Sequence, residues 1–253
     1  MTPLSEAQIE SFKTHGFVVL PGLIDTAVRR EWKRQIEADL GAPPDAEAAA
    51  AALKDRWPAS KDTSVLQDYR FSDGFDFHRL DGVRAVLEQM GAGCFRPREG
   101  DGNPHILWPV PGADWAVAAD GHVDGYAGGR WFSFMCGATT YLYDVGPRQG
   151  GTFLWPGSHL RIWRYYRAHP QAVSAGECPE RDAAFGAIAA EQPPVEATMA
   201  AGDVLLWHHN LYHSPSKNAG QRPRWAFFVR CHHEREVQMR HEAPRDPWTH
   251  WGI

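Results

Sequence analysis

No stretch of this 253-residue chain approaches the roughly 18 consecutive apolar residues that a membrane-spanning helix needs. Basic charge is not in excess either. Lys and Arg number 26 against 31 Asp and Glu, a formal charge of −5, so the chain lacks the electrostatic footprint of a nucleic-acid binder. The four cysteines, Cys94, Cys136, Cys178 and Cys231, are single and widely spaced, which excludes a CxxC zinc or redox motif and fits a reducing compartment. The start, Met1-Thr2-Pro3-Leu4-Ser5-Glu6, has neither the basic residues nor the apolar run of a signal peptide. Internal repeats, low-complexity tracts and charge blocks are also lacking. The expectation is a cytoplasmic protein with no nucleic-acid or membrane partner.

Apolar residues are plentiful enough, at 43% of the chain, to build a sizeable core. The unusual abundances are thirteen histidines and eleven tryptophans. Pro3 to His15 reads as a helix capped at Ser5, with Gln8 in capping-box position and Gly16 as its stop. Phe17-Val18-Val19-Leu20 follows as a short strand. Asp25 caps a second helix to about Leu40, and Ala46 to Leu53 is a third helical piece. Residues 55 to 82 read as an irregular segment covering a site, because their aromatics require burial. From about residue 104 short apolar runs alternate with Gly, Pro and Asp: Ile106 to Val110, Trp115 to Ala118, Trp131 to Tyr143, Thr152 to Trp155, Val204 to Trp207 and Trp225 to Cys231. Many short strands with turn signals predict a sandwich or barrel, interrupted by an insertion from Pro170 to Pro194. The whole chain, 1–253, is expected to form one mainly β domain with N-terminal helices packed on it.

Three segments carry chemistry. In Gly121-His122-Val123-Asp124-Gly125, residues two apart on a strand face the same way, so His122 and Asp124 can aim at one point. A histidine and a carboxylate so placed are two thirds of a facial triad for non-haem Fe(II), although the triplet alone fits a surface turn equally well. Gly202-Asp203 then turns into Val204-Leu205-Leu206-Trp207-His208-His209-Asn210-Leu211-Tyr212-His213, which brings a further histidine from a distant strand. Downstream, Arg222-Pro223-Arg224-Trp225-Ala226-Phe227-Phe228-Val229 begins a strand with arginine, whose planar fork grips a carboxylate bidentately. Between them lies Gly150-Gly151-Thr152-Phe153-Leu154-Trp155-Pro156-Gly157-Ser158-His159.

Taken together these residues resemble the phytanoyl-CoA dioxygenase family of Fe(II)- and 2-oxoglutarate-dependent oxygenases. The resemblance includes the opening helix with Thr14-His15-Gly16-Phe17-Val18-Val19-Leu20, the His-x-Asp, the Pro-Gly-Ser-His turn and the Gly-Asp…His…Asn…Arg ending, and it spans about residues 5 to 231. It implies a double-stranded β-helix, a jelly-roll, cupin-like barrel. His122, Asp124 and His213 would be the iron ligands, and Arg224, eleven positions after His213, would hold 2-oxoglutarate. The implied reaction consumes O2 and 2-oxoglutarate and hydroxylates an unactivated C–H bond of a small molecule. Many members carry a tryptophan where this chain has Thr139. Strand parity puts Thr139, Tyr141 and Tyr143 on one face, so Thr139 or a tyrosine hydroxyl would take over that cofactor-binding position.

Other residues read as structural. His208 and His209 flank a strand end as core or bracing histidines, His159 braces a turn, and His232-His233 lies on the surface. The tryptophans at 131, 155, 207 and 225 are packing, and Arg161, Arg164 and Arg167 form a solvated helix face. Two rival classes are a non-catalytic cupin-like metal- or ligand-binding protein and a Zn hydrolase built on the same His/Asp/His set. The first has no use for a carboxylate-gripping arginine, and no general base stands at metal-proximal spacing for the second.

Overall fold

A computed structural model describes residues 4–56, 65–66, 75–98, 102, 104–110, 121–124, 126–127, 130–131, 135–173, 176, 178–239 and 243–253, with the backbone alone for 50, 54–56, 65–66, 126–127, 130–131 and 237. The expected strand Trp115 to Ala118 and much of 55 to 82 lie outside these residues. In chain order the elements are α1 (Glu6–His15), β1 (Phe17–Leu20), α2 (Thr26–Leu40), α3 (Glu47–Arg56), β2 (Val65–Leu66), α4 (Asp81–Met90), β3 (Phe95–Pro97) and β4 (Pro104–Leu107). There follow β5 (Tyr126–Ala127), β6 (Arg130–Trp131), β7 (Cys136–Tyr141), β8 (Phe153–Leu154), α5 (Ser158–Ala168), α6 (Pro179–Ala190) and β9 (Val195–Glu196). The last are β10 (Val204–His208), β11 (His213–Ser214), β12 (Arg224–His233) and α7 (Glu236–Met239).

Local chemistry sets the helix ends. The Ser5 hydroxyl accepts from Gln8 N at 3.3 Å and Gln8 Oε1 accepts from Ser5 N at 2.9 Å, closing the expected capping box. Asp25 accepts from Ala27 N at 2.6 Å and starts α2, which buries Trp32, Ile36 and Leu40 at four-residue intervals. α4 and β3 are elements the sequence reading does not name. α4 buries Val83, Val86, Leu87 and Met90, the i, i+3, i+4, i+7 stripe of an amphipathic helix; its start at Asp81 and the 3-10 turn Phe77–Arg79 put short regular pieces into the end of the segment expected to be irregular. The Pro170–Pro194 insertion consists largely of the 3-10 turn Pro170–Ala172 and α6.

The sheet is antiparallel and mixed in strand length, ordered β1-β10-β7-β12-β4-β2, with β3 also pairing with β12. A second sheet runs β11-β8-β9, and β5 pairs with β6. The central strands β7 and β10 and the first half of β12 are buried on both faces, whereas β1 alternates and β3 is largely exposed. One face supplies Val18, Leu206, Ala138, Phe227, Val229 and Ile106 to a core shared with Phe12, Trp32, Ile36 and Met90 of α1, α2 and α4. Each such side chain contributes about 1.5–3 kcal/mol by leaving water. The other, inner face carries Leu205, Trp207, Tyr141 and Ala226 and packs on Leu154 of β8 with Val145, Ala197 and Met199. A third cluster joins Val123, Phe153, Trp155 and Tyr212 to Ile162, Tyr166 and Phe185 of α5 and α6. The fold is thus mainly antiparallel sheet with flanking helices, and the inner face is where the polar residues gather.

Candidate metal centre

β11 pairs with β8, and beyond it His122 forms an isolated antiparallel bridge with His213. The exchange is reciprocal: His122 N donates to His213 O at 2.8 Å and His213 N donates to His122 O at 2.9 Å. This fixes the two histidines opposite each other, with ring centroids 4.5 Å apart. Gly121 and Tyr212, the residues just before them, interlock: a Cβ on Gly121 would strike the Tyr212 ring, so only glycine fits. Asp124 does not extend a regular strand from His122, as the parity argument assumed, yet it turns to the same point. Its Oδ1 lies 3.3 Å from His122 Nε2 and 3.6 Å from His213 Nε2. One ligand atom from each of the three residues falls within 4.8 Å of the other two.

The surroundings orient these groups. The Leu211 carbonyl lies 2.9 Å from His213 Nδ1; a carbonyl only accepts, so Nδ1 carries a proton and Nε2 is the ring nitrogen turned to Asp124. The Trp207 ring packs on His213 at 5.1 Å, and its indole N–H donates to Thr139 Oγ1 at 3.0 Å. Trp207 in turn occupies the space over Gly137, where any Cβ would collide with the indole. Arg230 Nε donates to Asp124 Oδ2 at 3.0 Å, leaving Oδ1 for the centre. Burial pushes the Asp124 carboxyl up, but His122, His213 and the Arg230 guanidinium outweigh it and hold the group well below the usual carboxylate range. Two neutral-capable imidazoles and one carboxylate on one side of an open point are the donor set of a facial non-haem iron site, and the residues fit the metal.

β12 extends from this centre along the inner face. Arg224, Ala226, Phe228 and Arg230 alternate toward it, while Trp225, Phe227 and Val229 face the helices. Arg224 is only 6% exposed. Its Nε and Nη1 have no hydrogen-bond partner among the described residues, and its guanidinium lies 5.8 Å from the Tyr141 ring. Burial lowers its pKa. A buried guanidinium with two unmet donors fits an anionic partner, and a carboxylate is the group whose geometry matches its fork. The Tyr141 hydroxyl beside it accepts from Thr152 N at 3.3 Å. Arg222, by contrast, is exposed, 3.6 Å from Asp45 and 5.0 Å from the Tyr143 ring. Tyr143 therefore does not share the inner face with Thr139 and Tyr141, because β7 ends at Tyr141 and the chain turns toward α2.

Sequence reasoning missed Arg230 and His105. Arg230 lies six residues after Arg224 on the same face, so parity alone could have flagged it. His105 pairs in register with Ala226 and its ring lies 4.7 Å from Phe228. Burial first, then the charges of Arg230 and Arg224, push its pKa down to about 4, so it stands neutral between the two arginines. His232 and His233 are a correction: β12 runs through them, and His233 is buried against Phe95 and His250 rather than at the surface. Arg161 also departs from a solvated role, because it bonds Ile188 O and pairs with Glu191, tying α5 to α6. His159 braces the Lys13 carbonyl at 3.0 Å, and His208 and His209 stack on each other away from the centre. Trp155 and Trp225 pack with their N–H groups on Ala189 O and Pro44 O; the Trp131 side chain lies outside the described residues.

Beside His122 opens a cavity of about 300 Å³ lined by Gly121, His122, Val123, Arg181, Asp182, Phe185 and Tyr212. The family model for phytanoyl-CoA dioxygenase (PhyH) matches residues 12–226. The chain belongs to the phytanoyl-CoA dioxygenase family. Its members use Fe(II), 2-oxoglutarate and O2. Comparison with curated proteins finds no match. Among solved structures, the chain is similar to the non-heme alpha ketoglutarate dependent carbocyclase SnoK from nogalamycin biosynthesis, at 17% identity and TM-score 0.53, covering 96% of this chain and 93% of that one. It is similar to the epimerase SnoN in complex with Fe3+, alpha ketoglutarate and nogalamycin RO, at 18% identity and TM-score 0.50 over 90% and 83%. It also resembles iron-bound HygX from Streptomyces hygroscopicus, at 16% identity and TM-score 0.51 over 90% and 87%. At such identities these likenesses speak for the fold.

Proposed function

We propose that this member of the family is an Fe(II)- and 2-oxoglutarate-dependent oxygenase that hydroxylates an unactivated C–H bond of a small molecule. His122, Asp124 and His213 would hold the iron. Arg224 would grip the far carboxylate of 2-oxoglutarate, with Tyr141 and Thr139 beside it on the inner face. The observation that carries this reading is the Arg224 guanidinium, buried with two donors unmet on the same sheet face whose other end binds Asp124 through Arg230. A metal-binding module or a hydrolase has no need to bury such a charge at that place.

With Fe(II) and 2-oxoglutarate bound, the centre would couple cosubstrate decarboxylation and O2 reduction to oxidation of the substrate. The chain's own residues set the conditions for this. Arg230 binds the outer oxygen of Asp124 and leaves the inner one turned to the metal position. The Leu211 carbonyl fixes the His213 tautomer. Trp207 and Phe228 give the inner face an apolar wall that excludes water from the reacting atoms. The two sheets facing across that wall support the jelly-roll arrangement, and the four free cysteines suit the cytoplasm. The neighbours named as an epimerase and a carbocyclase show that this fold serves other oxidative outcomes, so the product decides the hydroxylase reading. Anaerobic titration of the protein with Fe(II) and then 2-oxoglutarate should develop the charge-transfer absorption of the chelate at one equivalent per chain. No such absorption, or an unchanged one in Asp124→Ala, contradicts the assignment.

A further inference from the structure

The cavity beside His122 is built largely from α6, an element the metal centre does not require. Its floor is aromatic and rigid. The Tyr212 ring is clamped between Gly121 and Trp155, the latter edge-on at 5.1 Å. Phe185 is held edge-on by Tyr165 and Tyr166, each at 5.5 Å. Among the described residues its polar side carries His122 and an ion pair, Arg181 Nε donating to Asp182 Oδ1 at 3.0 Å. Consecutive residues on a helix do not normally face each other, so this bond requires both side chains to bend to the same side, the cavity side. The two members differ in access: the Arg181 side chain is 3% exposed and that of Asp182 is 61% exposed. The guanidinium thus acts as a buried anchor, and the carboxylate is presented to a ligand.

We infer that this cavity is the substrate subsite and that it takes a neutral, hydroxyl-rich ring compound of about monosaccharide size, a glycoside or cyclitol. The inference rests on the oxygenase reading above and gives that reaction its substrate class. Three features select the class. Among the described lining residues the charged side chains Arg181 and Asp182 face each other, which disfavours a singly charged ligand of either sign. An anchored carboxylate accepts hydrogen bonds, which hydroxyl groups supply, and Tyr212 and Phe185 give an apolar wall for the C–H groups of a saturated ring. A volume near 300 Å³ lies at the small end of ligand pockets, and an apolar acyl chain filling it would strip water from the ion pair without replacing its hydrogen bonds. Because His122 lines the same cavity, a ring seated there stands next to the metal.

The test uses saturation-transfer NMR on the full chain with methyl β-glucopyranoside, glucosamine and octanoate as probes. The glucoside should bind best and should still bind His213→Ala, which removes a metal ligand. Asp182→Ala should weaken glucoside binding by roughly tenfold or more, the worth of a charged hydrogen bond. Fe(II) and 2-oxoglutarate binding in that variant should stay as in the parent. Asp182→Asn, which keeps the shape, should fall between the two and serves if Asp182→Ala loses its far-UV circular dichroism. No glucoside signal in the parent chain, equal binding by both Asp182 variants, or preference for glucosamine or octanoate would overturn the inference. Failure of the parent chain to bind Fe(II) and 2-oxoglutarate while the glucoside binds would instead overturn the oxygenase reading.

Discussion

Arg224→Lys separates a specific cosubstrate grip from mere positive charge. Lysine keeps the charge but not the planar fork, so one of the two charge-assisted hydrogen bonds available from Nε and Nη1 is lost. Such a bond is worth about 1.5–3 kcal/mol, which predicts 2-oxoglutarate binding weakened roughly ten- to a hundredfold. Arg222→Lys is the control. Arg222 is 57% exposed and only 3.6 Å from Asp45, a surface pair worth about 0–1 kcal/mol and remote from the inner face, so cosubstrate affinity should hardly change. Arg224→Met adds a test of opposite sign. Without cosubstrate the buried guanidinium is an unmatched charge, so replacing it with a similar apolar chain should stabilise the protein by on the order of 1 kcal/mol while abolishing 2-oxoglutarate binding. The assays are anaerobic calorimetric titration of the metal-loaded protein and urea denaturation without cosubstrate. Weaker binding in Arg222→Lys than in Arg224→Lys, or destabilisation by Arg224→Met, would refute the reasoning.

Arg230→Ala should lower Fe(II) affinity roughly 10- to 100-fold without removing a ligand, because Asp124 loses the partner of its outer oxygen; unchanged affinity in a metal titration would contradict that. Stability should fall as the pH drops from about 6.5 toward 4. His105, His159 and His209 each have folded values near 4, so the unfolded chain takes up protons that the folded chain refuses. The slope approaches about 1.4 kcal/mol per pH unit for each such histidine, and a flat urea midpoint over this range would refute it. Amide exchange in residues 170–195 should slow when substrate and cosubstrate bind anaerobically, since α6 lines the cavity at His122, and no protection there would leave α6 without a covering role.

The site was legible in the sequence to the extent that its residues sit in ordered local frames. His122-Val123-Asp124 is a local triplet, and His213 and Arg224 stand at the spacing of the family's motif order, so the resemblance, more than parity, singles them out. Capping chemistry likewise announced α1 and α2. What stayed hidden depends on partners far apart in the chain. Arg230 meets Asp124 across 106 positions, and His105 acquires its surroundings only through the β4–β12 register. Tyr143 was misplaced because parity does not say where a strand stops. His233 looked like a strand end because nothing local signals that β3 lengthens β12 by pairing with it. α4 carries its apolar stripe in local sequence, at the spacing helical periodicity detects, so it too was legible there.

The central claim is tested most directly by succinate release. Purified protein supplied with Fe(II), 2-oxoglutarate, O2 and a panel of small polyhydroxylated compounds should form succinate, and the stimulating compound should gain the mass of one oxygen. His122→Ala, Asp124→Ala and His213→Ala should each abolish succinate formation. Succinate released equally by the Asp124→Ala chain, or none from the parent chain loaded with Fe(II), would contradict the account.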